Sequence, residues 1–215
     1  MNQATQTLIQ KKLDWKSSLA KNGYILLNGI SFNDSYSFLN ELGNIIHENL
    51  VKATLDTRSL TNSYRALGFH TDHHRADYTC LYCIQQSLTG GESLLVDMRD
   101  ILKKFSIEEK EVMKGIFLKE HKIFEDDTEI FPLLSNVNDD EIYYSYWLVK
   151  DNLNQPQKSI INKLKTKIEN QKPVQFKMCN SDLLIVNNKR MLHARTSIGL
   201  NESRILHRFW LQKRR

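Results

Sequence analysis

Gly68-Phe69-His70-Thr71-Asp72-His73-His74 is the stretch from which the fold and the chemistry of this chain are read. In an extended segment, side chains two apart project to the same side, so His70 and Asp72 aim an imidazole and a carboxylate at one point. These are two of the three donors of a 2-His-1-carboxylate set, which leaves neighbouring positions on iron(II) open. On its own such a pair reads more simply as a polar loop with a solvated carboxylate. The far end of the chain gives it weight. Val186-Asn187-Asn188-Lys189-Arg190-Met191-Leu192-His193-Ala194-Arg195 supplies a second imidazole, His193, and Arg204 and Arg208 follow it by eleven and fifteen residues. On a strand, positions 204, 206, 208 and 210 share one face, so two guanidinium groups look the same way as Leu206 and Trp210. A buried arginine is costly unless paired. Two on one such face call for a fixed anion inside the protein.

The order His-x-Asp, then Gly90-Gly91-Glu92-Ser93, then His193, Arg204 and Arg208 resembles the taurine dioxygenase-like branch of the iron(II)/2-oxoglutarate-dependent oxygenases, with the gamma-butyrobetaine hydroxylase and clavaminate synthase groups among its relatives. The resemblance runs from about Gly23 to Leu211, and its specific part is confined to residues 62–97 and 182–210. It implies His70, Asp72 and His193 as ligands of Fe(II), and Arg204 with the Ser93 hydroxyl as the holders of the distal carboxylate of 2-oxoglutarate. The resemblance further implies O2 as the other cosubstrate and the release of succinate and carbon dioxide. Arg208 is then expected at the other end of the cosubstrate or on an acidic group of the substrate. Halogenating relatives lack the carboxylate ligand, so Asp72 points to hydroxylation or desaturation of an unactivated C–H bond. Two departures stand out: Ser93 replaces a frequent Thr, which keeps the hydroxyl, and the chain is short for the branch.

At 215 residues, with 40% hydrophobic and 26% charged residues, the chain is expected to form a single globular domain with a real core. No apolar run approaches the roughly 20 residues of a membrane span, and Met1-Asn2-Gln3-Ala4-Thr5 lacks a signal peptide's apolar core. The cytoplasm is the expected compartment. Cys80-Leu81-Tyr82-Cys83 sits in an apolar run with no second cysteine pair, so both thiols read as small core residues, and Cys179 likewise. The net charge of +5 invites a nucleic-acid reading. Its excess is diffuse, however: Lys158, Lys163, Lys165 and Lys167 on one helix and Lys213-Arg214-Arg215 as a tail. A solvated face is preferred, with no nucleic-acid partner. Oligomeric state is not legible.

Along the chain, an amphipathic helix is expected at about 4–21, a strand at Tyr24-Ile25-Leu26-Leu27, and a helix over Ser35 to Leu42 capped by Asn33 or Asp34. Residues 1–50 thus form a helix-strand-helix support. Asn62 and Tyr64 alternate with hydrophobes and face either the pocket or an exposed edge; both are carried as substrate contacts. His73 and His74 read as loop residues, because further imidazoles would fill positions that oxygen and 2-oxoglutarate need. The run 78–86 is a strand, Gly90-Gly91 a tight turn between strands, and Ser93 heads the next strand. Residues 98–140 form a helical insertion and lid, with Ser106-Ile107-Glu108-Glu109 as a capping box and Glu125-Asp126-Asp127-Thr128-Glu129 as a mobile surface loop. Ile142 to Leu148 reads as a strand, 155–170 as a helix, and Leu183-Leu184-Ile185-Val186 as the strand leading to His193. Arg195, two residues on, faces the same interior and either binds cosubstrate or substrate or pairs with a structural carboxylate; the first is adopted.

The expected fold is a mainly β, cupin-like jelly-roll, the double-stranded β-helix, with flanking helices. The expected activity is that of an iron(II)- and 2-oxoglutarate-dependent dioxygenase acting on a small-molecule substrate with an acidic group, an amino acid or a derivative. The alternatives are a zinc-dependent hydrolase or lyase using the same three ligands, and a non-catalytic cupin-like binder.

Overall fold

The computed structural model describes residues 15–214 except 56, 58, 128 and 129. The first part of the expected helix at 4–21 lies outside the described residues; its remainder is helix α1, residues 15–22. Then follow β1 (Tyr24–Leu27), α2 (Phe32–Leu42), β2 (Asn44–Lys52), β3 (Leu67–His70), β4 (Tyr78–Gln85), β5 (Ser93–Asp97), α3 (Met98–Leu102), α4 (Ile107–Lys114), α5 (Gln155–Glu169), β6 (Val174–Phe176), β7 (Leu183–Asn187), β8 (Met191–Arg195) and β9 (Ile205–Gln212). Two antiparallel sheets face each other, in the orders β1-β7-β4-β9-β2 and β3-β8-β5-β6. This is the double-stranded β-helix.

Strand β7 explains the layering. Successive side chains on a strand point to opposite faces. Leu183 and Ile185 pack outward with Trp15, Leu19, Phe38 and Leu39 of α1 and α2. Leu184 and Val186 point inward, against Leu95 and Met191 of the facing sheet and Leu206 of β9. Buried on both sides, the strand is apolar from Leu183 to Val186, and each such side chain contributes about 1.5–3 kcal/mol. The outer face of the smaller sheet, Val96 and Leu192, is covered by α3, α4 and α5 through Ile101, Met113, Ile161 and Leu164. Lys163 pairs with Glu109, and Lys163 and Lys167 lie over the Phe105 ring, so these lysines fasten α5 to its neighbours. No helix among the described residues is long and apolar enough to cross a membrane.

Several expectations change. Residues 44–52, the end of the expected helix-strand-helix support and the two residues after it, form a further strand, β2, paired with β9. Helix α2 is capped by Ser31, whose side chain accepts from Asp34 N–H. Gly90 and Gly91 do not close a hairpin, because β4 and β5 belong to different sheets; they carry the chain across with φ of 66° and 73°. A Cβ at Gly90 would meet Ser197 O at 1.9 Å, so only glycine fits. The capping box at Ser106 and Glu109 is present. Cys80 and Cys83 are buried and unpaired, whereas Cys179 is exposed.

The stretch Ile142 to Leu148 is not a strand. It makes two isolated bridges, Leu134 to Ile142 and His70 to Ser145, and then turns through a 3-10 helix, Tyr146–Leu148. Side chains displace the ladder there: Thr71 Oγ1 accepts from Tyr144 N–H at 3.0 Å and Ser145 Oγ donates to Thr71 O at 3.0 Å. The turn brings the Trp147 ring within 5.0 Å of His70. The charged stretch at 125–129 is likewise not simply a surface loop. Asp127 is buried, accepting from Ile123 and Phe124 N–H at 2.9 and 2.7 Å; Thr128 and Glu129 lie outside the described residues.

Candidate active site

Two strands set the imidazoles. On β3 and β8, His70 stands opposite His193, and the ring centroids are 4.2 Å apart. Asp72 lies just past the end of β3, with Oδ2 3.8 Å from His193 Nε2. One donor atom from each of the three lies within 4.8 Å of the others, as bonds of roughly 2 Å to a common ion require. His70 Nδ1 is 2.8 Å from Gly68 O. A carbonyl accepts only, so Nδ1 carries the proton and the Nε2 lone pair is left for a metal. Burial, reinforced by His193, pushes His70 down to about 3, and burial lowers His193 as well. Both are neutral near pH 7, the form that ligates.

Asp72 is held from three sides. Arg208 Nη1 donates to Oδ1 at 3.0 Å, Thr79 Oγ1 donates to Oδ2 at 2.7 Å, and the Asp72 amide donates to Asn188 Oδ1 at 2.7 Å. Burial raises its pKa, but the Arg208 charge, the two histidines and the Thr79 hydroxyl outweigh burial and keep the carboxyl below its usual range. Arg208 itself is fixed by Asn49 Oδ1 at 3.2 Å and by the Trp210 ring 4.7 Å below it.

Ser93, Arg195 and Arg204 line one cavity together with His70, His193 and Arg208. Arg204 is 4% exposed. Its Nε donates to Gln86 Oε1 at 3.1 Å, and a side chain at Gly91 would press on its Cδ. Burial, then repulsion by Arg195, pushes Arg204 down to about 10. Among the described residues neither arginine faces a carboxylate within ion-pair distance. Arg195 is largely spent: its two terminal nitrogens donate to Thr61 O, Ser63 O and Arg65 O at 3.2, 2.6 and 2.6 Å, leaving Nε alone without a partner. Its partners among the described residues are backbone carbonyls and not a structural carboxylate.

A wider opening of about 570 Å³ shares His70, Thr61 and Arg208 with that cavity and adds Asp72, His47, Asn49, Asn62, His121, Trp147 and Trp210. Asn62 is therefore on the pocket side, with its buried Oδ1 unpartnered. Tyr64 lines neither cavity; its carbonyl accepts from Ile198 N–H. His73, His74 and Asp127 form a second close cluster. There His73 Nδ1 accepts from Arg75 N–H at 3.3 Å, so its Nε2 bears the proton, toward His121 O and Asp127 Oδ2, both at 3.1 Å. Arg75 also contacts the Asp127 carboxylate at 3.2 Å. This is a hydrogen-bonded ion-pair network with no lone pair of His73 turned to a cation.

The family model described as Taurine catabolism dioxygenase TauD, TfdA family, matches residues 6–210, a span that holds His70, Asp72, His193, Arg204 and Arg208. The chain belongs to the TauD/TfdA family. It is 26% identical over 225 residues to gamma-butyrobetaine dioxygenase of Homo sapiens, and equally to that of Pongo abelii, covering 85% of this chain and 55% of each relative. The chain thus spans about half the length of the curated relatives it matches. Among solved structures, asparagine oxygenase superimposes with a TM-score of 0.73 at 15% identity, over 97% of this chain and 79% of that one. The non-heme iron oxygenase OrfP, in complex with Fe, succinate and (3S)-hydroxy-L-Arg, gives 0.73 at 13% identity, over 99% and 82%. At these identities the likeness establishes the shared fold.

The site of this TauD/TfdA chain contains residues that sequence reasoning missed. His47 and Asn49 alternate along β2 between Ile45 and Val51, a period-two signal that cannot distinguish a pocket from solvent. Thr79 is a hydroxyl in an otherwise apolar run, and His121 and Trp147 sit in segments with no regular period.

Proposed function

We propose that this TauD/TfdA chain is an iron(II)- and 2-oxoglutarate-dependent dioxygenase of the cytoplasm, hydroxylating or desaturating an unactivated C–H bond of a small acid-bearing molecule, an amino acid or a derivative. The observation that carries the reading is one cavity lined by His70 and His193, whose donor atoms lie within 4.8 Å of an Asp72 oxygen, and by the buried Arg195 and Arg204, neither of which faces a carboxylate within ion-pair distance among the described residues. The donor set suits a divalent ion with open positions: two neutral imidazoles and one ionised carboxylate. Iron(II), when bound, supplies activation of dioxygen coupled to decarboxylation of 2-oxoglutarate, one oxygen atom going to succinate and the other to the hydroxylated substrate, or to water when the substrate is desaturated.

The chain's own residues bind and orient. Arg204 and Ser93 hold the distal carboxylate of 2-oxoglutarate, and the Arg195 charge adds to the attraction. Asp72, anchored by Thr79 and Arg208, would present its carboxylate to the metal in a fixed orientation. Arg208, which lines both cavities, meets the acidic group of the substrate, and Asn62 offers its unpartnered Oδ1 in the wider opening. The apolar lining, with Leu81, Leu95, Leu184 and Leu206, keeps water from the buried charges and strengthens their hold. A zinc hydrolase or a plain binder with the same three ligands gives no reason for Arg204 to remain buried without a counter-charge.

Anaerobic addition of iron(II) and 2-oxoglutarate together should produce a visible charge-transfer absorption that neither gives alone, and in air 2-oxoglutarate should yield succinate. No band and no succinate would remove the reading. A screen of amino acids and small acids for stimulated succinate release, with mass analysis for added oxygen, identifies the substrate.

A further inference from the structure

The two imidazoles and the carboxylate are not supported alike. His70 and His193 stand on paired strands, whose ladder fixes their backbones. Asp72 lies beyond the end of β3, in a segment with no strand pairing of its own. Something else must keep it in place. Two buried residues, 0% and 1% exposed, meet it: Thr79 on β4 and Asn188 in the turn between β7 and β8.

We infer that Thr79 and Asn188 are positioning residues that hold Asp72 as a one-oxygen metal ligand, an inference resting on the reading of His70, Asp72 and His193 as the metal site. Asn188 enters the 72–77 turn and uses its whole amide there. Its Oδ1 accepts from Asp72 N–H at 2.7 Å, and its Nδ2 donates to Ala76 O at 2.9 Å and His73 O at 3.2 Å. Its own backbone N–H donates to Asp77 O at 2.9 Å. The Asp72 backbone is thereby tied to the same turn that leads, five residues on, to His193. Thr79 completes the hold at the carboxylate. Its single hydroxyl proton goes to Asp72 Oδ2 at 2.7 Å, since its other acceptor, Asn188 Oδ1, is 3.4 Å away. Oδ2 is the oxygen that faces His193. Arg208 grips only Oδ1, so both oxygens are oriented and one remains turned to the imidazoles. Groups that orient ligands in this way typically change metal affinity by roughly 10–100-fold when removed.

The test titrates the metal-free full-length chain with Co(II), without 2-oxoglutarate or substrate, following the cobalt d–d absorption, and records Tm of each variant. Thr79→Val removes the hydroxyl and keeps the shape; Thr79→Ser keeps the hydroxyl. The expected result is one Co(II) per wild-type chain, affinity weakened roughly 10–100-fold in Thr79→Val with an altered d–d spectrum, and recovery in Thr79→Ser. A Thr79→Val protein that folds and binds Co(II) as wild type does, with the same spectrum, overturns the inference while leaving the metal site standing. Wild type that binds no Co(II) overturns the metal site and the inference with it. Should Thr79→Val not fold, Thr79→Ala carries the same expectations, because it deletes the hydroxyl without placing a methyl group against the carboxylate.

Discussion

Replacing Arg204 by Met separates function from stability. The guanidinium is 4% exposed with one hydrogen bond, to Gln86, and no carboxylate within ion-pair distance among the described residues. Burial pushes it down to about 10 from 12.5. At about 1.4 kcal/mol per tenfold in the proton equilibrium, the folded chain bears roughly 3 kcal/mol for keeping this side chain charged at pH 7. Methionine has a similar length and no charge, so Arg204→Met should stabilise the ligand-free protein by up to about 3 kcal/mol, which for a chain of this size means a Tm rise of roughly 6–12 °C. The same change removes a charge-assisted contact to the distal carboxylate of 2-oxoglutarate. Leaving that carboxylate buried and unpaired costs about 3–5 kcal/mol, so the 2-oxoglutarate concentration for half-maximal succinate formation should rise by roughly two to four orders of magnitude. Co(II) binding should be unchanged. Calorimetry of the ligand-free protein and a succinate assay against 2-oxoglutarate concentration read both effects. A variant that is less stable and needs no more 2-oxoglutarate would show that Arg204 is a structural residue with a counter-charge of its own.

Three further outcomes follow from the same geometry. Arg208→Met keeps the stem on Trp210 but loses the charge. It should retain slow, substrate-free succinate formation and lose at least about tenfold in substrate oxidation, from one charge-assisted contact of roughly 1.5–3 kcal/mol; equal loss of both would confine Arg208 to holding Asp72. Because His70 titrates near 3 when folded and near 6.5 when unfolded, the unfolded chain binds more protons between those values. Metal-free stability should therefore fall on acidification through that window, by about 1.4 kcal/mol per pH unit from this residue. His193 acts in the same direction, and a urea midpoint that stays flat from pH 7 to 5 would contradict this. Asp127→Ala removes the acceptor of two backbone N–H groups and the partner of His73, so trypsin should cut after Lys122 faster than in wild type, and unchanged cleavage would mean that the segment is held by other contacts.

Much of the site was legible because its chemistry is local or its face is periodic. The His70-x-Asp72 spacing, the distal His193, the arginines at plus eleven and plus fifteen, and the apolar runs of β4 and β7 are all written in short stretches. Alternation alone places Arg204, Leu206 and Arg208 on one inward face, and the structure lines one cavity with them. What stands opposite that face was not legible. That Arg208 meets Asp72, 136 residues away, and that Arg195 is taken up by the carbonyls of residues 61–65, follow from strand register and from which loop crosses the barrel mouth. The aromatic run 142–148 has a strand's composition, yet the Thr71 side chain accepts from its backbone, Ser145 turns its own hydroxyl to Thr71 O, and the run makes isolated bridges in place of a ladder. Asp127 sits in a charge-rich stretch whose composition suggests solvent, and it is buried because two N–H groups, His73 and Arg75 converge on it. By itself the sequence determined which donor types are present and which way strand residues point. Only the tertiary structure decided which partners they meet, because a side chain's period along its own strand carries no information about the residue a hundred positions away that completes its hydrogen bonds.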